Sequence, residues 1–139
     1  MTQDIDTGRT WTLRIVSSLY LLLLAVGLLW PFGSARTYMF LSPRLHRPVW
    51  RNVRDAVLNI ALFLPVGFLG RRILRERRRL SRKNDLYLIA FGLAFSLTFE
   101  CLQYFIPGRY STLRDLAMNT LGTAAGVALE AFLMRPARS

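Results

Sequence analysis

Cysteine and histidine are nearly missing from this chain, with Cys101 and His46 the only examples in 139 residues. A single cysteine excludes an intramolecular disulfide, and neither residue has companions at metal-ligand spacing, so no metal centre and no cofactor are expected. Cys101 reads as a small apolar residue and His46 as a polar loop residue. Acidic residues are also scarce, 8 Asp+Glu against 19 Lys+Arg. No phosphate-binding glycine loop and no nucleophile elbow is present to announce an enzyme. The length suits one domain, 1–139, and leaves no room for a soluble second one.

What the chain does have is 53% hydrophobic residues together with a net charge of +11. Such a balance would suit either a nucleic-acid binder or a membrane protein, and segregation decides between them. The cations sit mostly between apolar runs, densest in RRILRERRRLSRK (Arg71–Lys83), and no basic stretch is interleaved with base-stacking aromatics or a DNA-reading motif. Nucleic acid is therefore not expected as a partner. Four apolar segments follow: Trp11–Trp30, Val53–Gly70, Leu86–Ile106 and Leu113–Met134. At about 1.5 Å per helical residue the third spans about 30 Å, the thickness of the hydrocarbon core. The expected fold is an all-α membrane protein, a bundle of four transmembrane helices.

The first segment is interrupted only by Arg14 and tipped by tryptophans that suit the two interfaces. Its rival reading is a cleavable signal peptide, since Gly33-Ser34-Ala35 resembles a small-residue cleavage site, but the run is long for such a leader and ends in Trp-Pro-Phe. The second segment is the shortest and carries Asp55 and Asn59 near its start. Pro65 removes a backbone donor within it, so a kink between Asn59 and Gly67 is predicted.

Orientation is read from the loops. Arg71–Asp85, as the most basic connection, belongs on the cytoplasmic side, which places both termini there. Arg36, Arg44, Arg47, Arg51 and Arg54 oppose this, because the same topology exposes them outside. Either the topology is inverted, or these arginines hold anionic lipid phosphates or sit at the headgroup level.

Polar residues inside the apolar segments are costly in lipid and normally face a protein interior or a wet cavity. Asn59, Glu100 and Asn119 lie at similar depths, so they form one layer, near the outer face in the preferred topology. Ser96, Glu100 and Gln103 share one face of the third helix, and Asp115, Asn119, Gly122 and Gly126 share one face of the fourth. The six residues Pro107–Thr112 force these helices into an antiparallel hairpin whose polar faces can meet, and Gly122-xxx-Gly126 permits close backbone approach.

Taken in order, Asn59-x-x-x-Phe63-x-Pro65-x-Gly67, Glu100-x-x-Gln103, Gly108-Arg109 and Asp115-x-x-x-Asn119-x-x-Gly122-x-x-x-Gly126 resemble the VanZ-like family of small bacterial membrane proteins. The resemblance covers Asn59 to Gly126; the first segment and the arginine-rich stretch after it carry no matching motif. It implies a multi-pass protein of the bacterial cytoplasmic membrane, and an association with low-level resistance to teicoplanin, which acts outside that membrane on lipid-linked cell-wall precursors.

Three readings of the polar layer follow. In the first, Asn59, Glu100, Gln103, Arg109, Arg114, Asp115 and Asn119 bind an anionic, lipid-linked envelope component, guanidinium groups holding phosphate and amides reading hydroxyl or amide groups. Membrane lipids, or a lipid-linked cell-wall precursor, are then the partners. In the second, Glu100 and Asp115 are base and acid of a transferase or hydrolase, with Arg109 and Arg114 stabilising developing charge. In the third the same residues only fix helix packing.

Overall fold

The computed structural model describes residues 2–29, 49–104 and 113–134, which form four helices: α1 (Thr2–Leu29), α2 (Val49–Glu76), α3 (Arg82–Tyr104) and α4 (Leu113–Leu133). All four are long and apolar enough to cross a membrane, and the protein is a multi-pass membrane protein. The shortest apolar segment of the sequence is part of a full-length helix, with a candidate span at Val53–Glu76.

The helices overrun the apolar runs because hydropathy marks the hydrocarbon core and not the helix. Arg71–Glu76 continues α2 in good helix formers, and Arg72 pairs with Glu76 one turn on at 3.3 Å. The expected loop Arg71–Asp85 therefore shrinks to Arg77–Ser81. Its turn is closed at both ends. The Arg79 amide donates to the Leu74 carbonyl at 2.8 Å and the Arg78 amide to Arg75 at 2.9 Å, with Arg78 at φ 54°, a Schellman cap built without glycine. Ser81 then caps α3, its Oγ accepting from the Asn84 amide at 3.1 Å. Across Pro65, α2 is one unbroken helix, and one turn earlier Tyr20 Oη of α1 donates to the Leu62 carbonyl at 2.5 Å.

Contacts along their length show α2 and α4 running parallel, side by side, with α3 antiparallel to both. The glycines do not serve the α3–α4 hairpin, as the sequence suggested, but face α2. A Cβ on Gly122 would lie 2.5 Å from the Ile60 carbonyl oxygen, and one on Gly126 would overlap the Leu64 carbonyl. From the other side, a Cβ on Gly67 would overlap the Thr123 carbonyl. Backbone thus meets backbone along this seam. On its far side α4 meets α3 through Thr123 against Gly92.

Burial is inverted relative to a water-soluble bundle. The apolar core is small, Leu24, Phe63 and Val66, flanked by Phe95, whose ring meets Phe63 edge-on at 6.2 Å. Apart from Val127 on α4, the other fully or nearly buried side chains among the described residues are polar: Ser96, Gln103, Asn119, Thr123 and Glu130. Leu22, Leu23 and Leu97, by contrast, point outward. Lipid is the solvent in which that distribution is stable, since it neither drives leucines together nor satisfies buried polar groups.

A side chain at Gly122 or Gly126 must push α2 away, which costs more than the roughly 1–3 kcal/mol of ordinary overpacking because backbone cannot rotate aside. Gly126→Leu is expected to abolish the monodisperse species in size-exclusion chromatography. Gly27→Leu, where a Cβ meets nothing within 4 Å, is expected to leave it intact.

Candidate functional site

Between the C-terminal part of α1 and the other three helices lies a cavity of about 540 Å³. The wall supplied by α1 is apolar apart from a phenol: Tyr20, Leu24 and Leu28. Facing it, α2 supplies Asp55 and Asn59, α3 supplies Glu100 and Gln103, and α4 supplies Arg114, Asp115 and Asn119.

Each helix places its polar residues by periodicity. Asp55 and Asn59 are one turn apart on α2, as are Asp115 and Asn119 on α4, and the parallel packing puts the two pairs at one height. Asn59 Nδ2 donates to Asp115 Oδ1 at 2.9 Å, joining α2 to α4. Asn119 Nδ2 donates to Ser96 Oγ at 2.7 Å, joining α4 to α3, and Thr123 Oγ1 returns to the Asn119 carbonyl. Gln103 Nε2 donates to the Leu28 carbonyl at 2.6 Å and so ties α3 to the last turn of α1. Asn119 is 3% exposed, and its Oδ1 is buried without a hydrogen-bond partner among the described residues.

Of the residues singled out from the sequence, Asn59, Glu100, Gln103, Arg114, Asp115 and Asn119 all line this one cavity. Arg109 lies outside the described residues, as do Arg36, Arg44 and Arg47. Arg114 makes no ion pair among the described residues. Asp55, which pairs with Arg54 at 3.3 Å, and Tyr20 complete the wall and were not singled out. Asp55 was recoverable from its place one turn before Asn59. Tyr20, a lone phenol in an apolar segment, gave no signal.

A second polar cluster, also missed, occupies the opposite end of the α2–α4 seam. Glu130 is fully buried, and both its oxygens are taken: Oε2 accepts from Arg71 Nη1 at 2.5 Å and from Arg75 Nη2 at 3.1 Å, and Oε1 accepts from Arg75 Nε at 2.6 Å. Arg71 also reaches Asp85 of α3 at 3.0 Å. The spacing announces it, because Glu130 continues the face Asp115, Asn119, Gly122, Gly126 by one further turn, and Arg71 stands one turn beyond Gly67. Treating Arg71–Asp85 as a loop concealed this.

Four spanning helices around an off-centre polar cavity define a small polytopic membrane protein. The VanZ/LLP1 family matches residues 5–134, and the chain belongs to that family. The match extends well beyond Asn59–Gly126, to α1 and the arginine-rich stretch after it. Neither a curated protein nor a solved structure matches the chain.

Removing one member of a buried, hydrogen-bonded ion cluster leaves the others uncompensated, a loss of about 3–5 kcal/mol, whereas an exposed pair contributes about 0–1 kcal/mol. Glu130→Gln is therefore expected to lower the melting temperature in detergent sharply. Arg54→Ala, at the far more exposed pair, is expected to change it little.

Proposed function

We propose that the protein binds and remodels an anionic, lipid-linked component of the cell envelope, held with its headgroup in the polar cavity and its chain along the apolar wall of α1. The observation that carries this is the cavity itself. The Asn59–Asp115, Asn119–Ser96 and Gln103–Leu28 bonds join the helices, but joining them does not require a space of about 540 Å³ in between. That volume falls in the usual range of small-molecule sites, and its two walls match the two halves of an amphiphile. Leu23, Leu24 and Leu28 offer an alkyl surface; the carboxylates and amides of α2, α3 and α4 offer hydrogen bonds. Phosphate belongs at the rim, on Arg114 and on Arg54 beside Asp55, since guanidinium forks match phosphate oxygens.

Binding fits better than acid–base chemistry by Glu100 and Asp115, because Asp115 accepts an amide hydrogen from Asn59 and is thereby held as part of the wall. The preferred orientation follows the cations: Arg77–Ser81 and both termini on the cytoplasmic side, with the cavity opening toward the outer face. There it meets lipid-linked wall precursors, which is how a link to teicoplanin resistance would arise.

Two experiments test this. With Cys101 replaced, cysteines at Ser81 and Ser42 are expected to label from the inside and the outside respectively; labelling of position 81 in intact cells overturns the orientation. Separately, Glu100→Gln, Gln103→Ala, Arg109→Ala, Asp115→Asn and Asn119→Ala are each expected to lose co-purifying lipid while remaining monodisperse. Loss only in proportion to folded protein would make the cavity residues a packing network.

A further inference from the structure

The turn between α2 and α3 and the first residues of α3 hold five cations, Arg77, Arg78, Arg79, Arg82 and Lys83, with no acid among them. All five are exposed. The acids packed at this end of the bundle are already taken: Glu130 by Arg71 and Arg75, Asp85 by Arg71 and Glu76 by Arg72. None of the five outer cations joins an ion pair among the described residues. The candidate spans stop at Glu76 and resume at Arg82, so these cations stand at headgroup level, and the protein leaves their mutual repulsion unrelieved.

Two features distinguish this turn from a merely solvated run of charge. It is held in one shape, by the Arg79 amide on the Leu74 carbonyl, by Asn84 Nδ2 donating to the Arg79 carbonyl at 2.7 Å, and by the Ser81 cap of α3. And Arg78 sits at φ 54°, the left-handed position that closes a helix and ordinarily takes glycine. An arginine there forgoes local stability, and strain kept at one residue points to a task for its side chain. Exposed apolar side chains, Leu80, Leu86 and Tyr87, adjoin the cations in the chain. A soluble anion would use the charge alone, whereas a phospholipid uses both.

From this we infer that the turn is a docking site for a phospholipid headgroup carrying more than one negative charge. Its phosphates rest on Arg77, Arg78 and Arg79, and its acyl chains lie along α3 from Leu86 and Tyr87. A single phosphodiester would leave most of the five cations uncompensated, which is why the headgroup needs a second phosphate. The turn is at the opposite end of the bundle from the cavity, and the inference does not depend on what the cavity holds.

Phosphatidylglycerol phosphate, phosphatidylglycerol and phosphatidylcholine with the same acyl chains provide the probes. Native mass spectrometry of the purified full-length protein is expected to show the first retained over the second by about fivefold, the effect of one more phosphate against a cation, with phosphatidylcholine last. Arg78→Gly removes one cation and supplies the residue that φ 54° favours. It is expected to lower retention of phosphatidylglycerol phosphate by about fivefold while raising the melting temperature. A turn that serves only folding or membrane orientation gives the rise without the loss. Arg79→Gln repeats the charge change at a position where the backbone is unaffected, and decides the matter should Arg78→Gly fail to fold. Millimolar inorganic phosphate is expected not to displace the lipid; displacement makes the site one for a soluble anion and overturns the lipid assignment. Gly27→Trp, at a cavity-lining position where a Cβ meets nothing, is expected to leave the ranking unchanged. If Gly27→Trp abolishes the ranking and the turn variants do not, the preference belongs to the cavity, and the turn inference falls while the binding reading stands. Equal retention of all three lipids by the wild-type protein also overturns it.

Discussion

Backbone contact between α2 and α4 is the constraint from which the other features of this protein descend. Three glycines remove the side chains that would hold the helices apart, so Gly67 lies on the Thr123 carbonyl and Gly122 and Gly126 lie on the Ile60 and Leu64 carbonyls. Because the helices run parallel, a residue near the start of one meets a residue near the start of the other, and likewise at their ends. Asn59 therefore finds Asp115 at one end, and Arg71 and Arg75 find Glu130 at the other. A helix separation larger by one methyl group would strain both sets at once, whereas the apolar contacts of α1 would accommodate it.

Lipid explains why polar atoms do so much of the joining. Leucines gain little by leaving hydrocarbon for a protein interior, so association rests on close packing and on hydrogen bonds that lipid cannot offer. Each helix pair in contact within the α2–α3–α4 group has such a bond, and α1 is joined by two, Tyr20 to Leu62 and Gln103 to Leu28. Both end on backbone carbonyls. A carbonyl acceptor is supplied by any residue type, which is why these contacts leave no trace in the sequence of their acceptor helix.

That difference sets what could be read in advance. Helix number and the common depth of Asn59, Glu100 and Asn119 follow from apolar run length and from 1.5 Å per residue, both properties of the chain alone. Residues on one helix face are legible because periodicity is local. Which helix a face meets is not local: Gly122-xxx-Gly126 announces a close neighbour without saying whether it is α3 or α2, and the short connection to α3 favoured the wrong one. Helix ends were misjudged for a related reason, since Arg71–Glu76 is charged enough to look like a loop and helical enough to continue α2. Glu130 was hidden as a consequence, its partners having been assigned to a loop.

The two polar ends of the α2–α4 seam show how scaffold and site differ in physical terms. At one end Glu130 is wholly enclosed, both carboxylate oxygens accept from guanidinium groups, and Arg71 is shared with Asp85, so the ionic groups neutralise one another. Ion clusters closed in this way fix which helix meets which. At the other end the hydrogen bonds are just as specific, yet they surround a cavity and leave the Asn119 Oδ1 acceptor unsatisfied. An unfilled volume and an unmade hydrogen bond both work against folding. The same pair of helices achieves full satisfaction one end away, so the open end is not a limit of what this packing can do. Its deficits are of the two kinds, volume and donors, that a bound headgroup would supply.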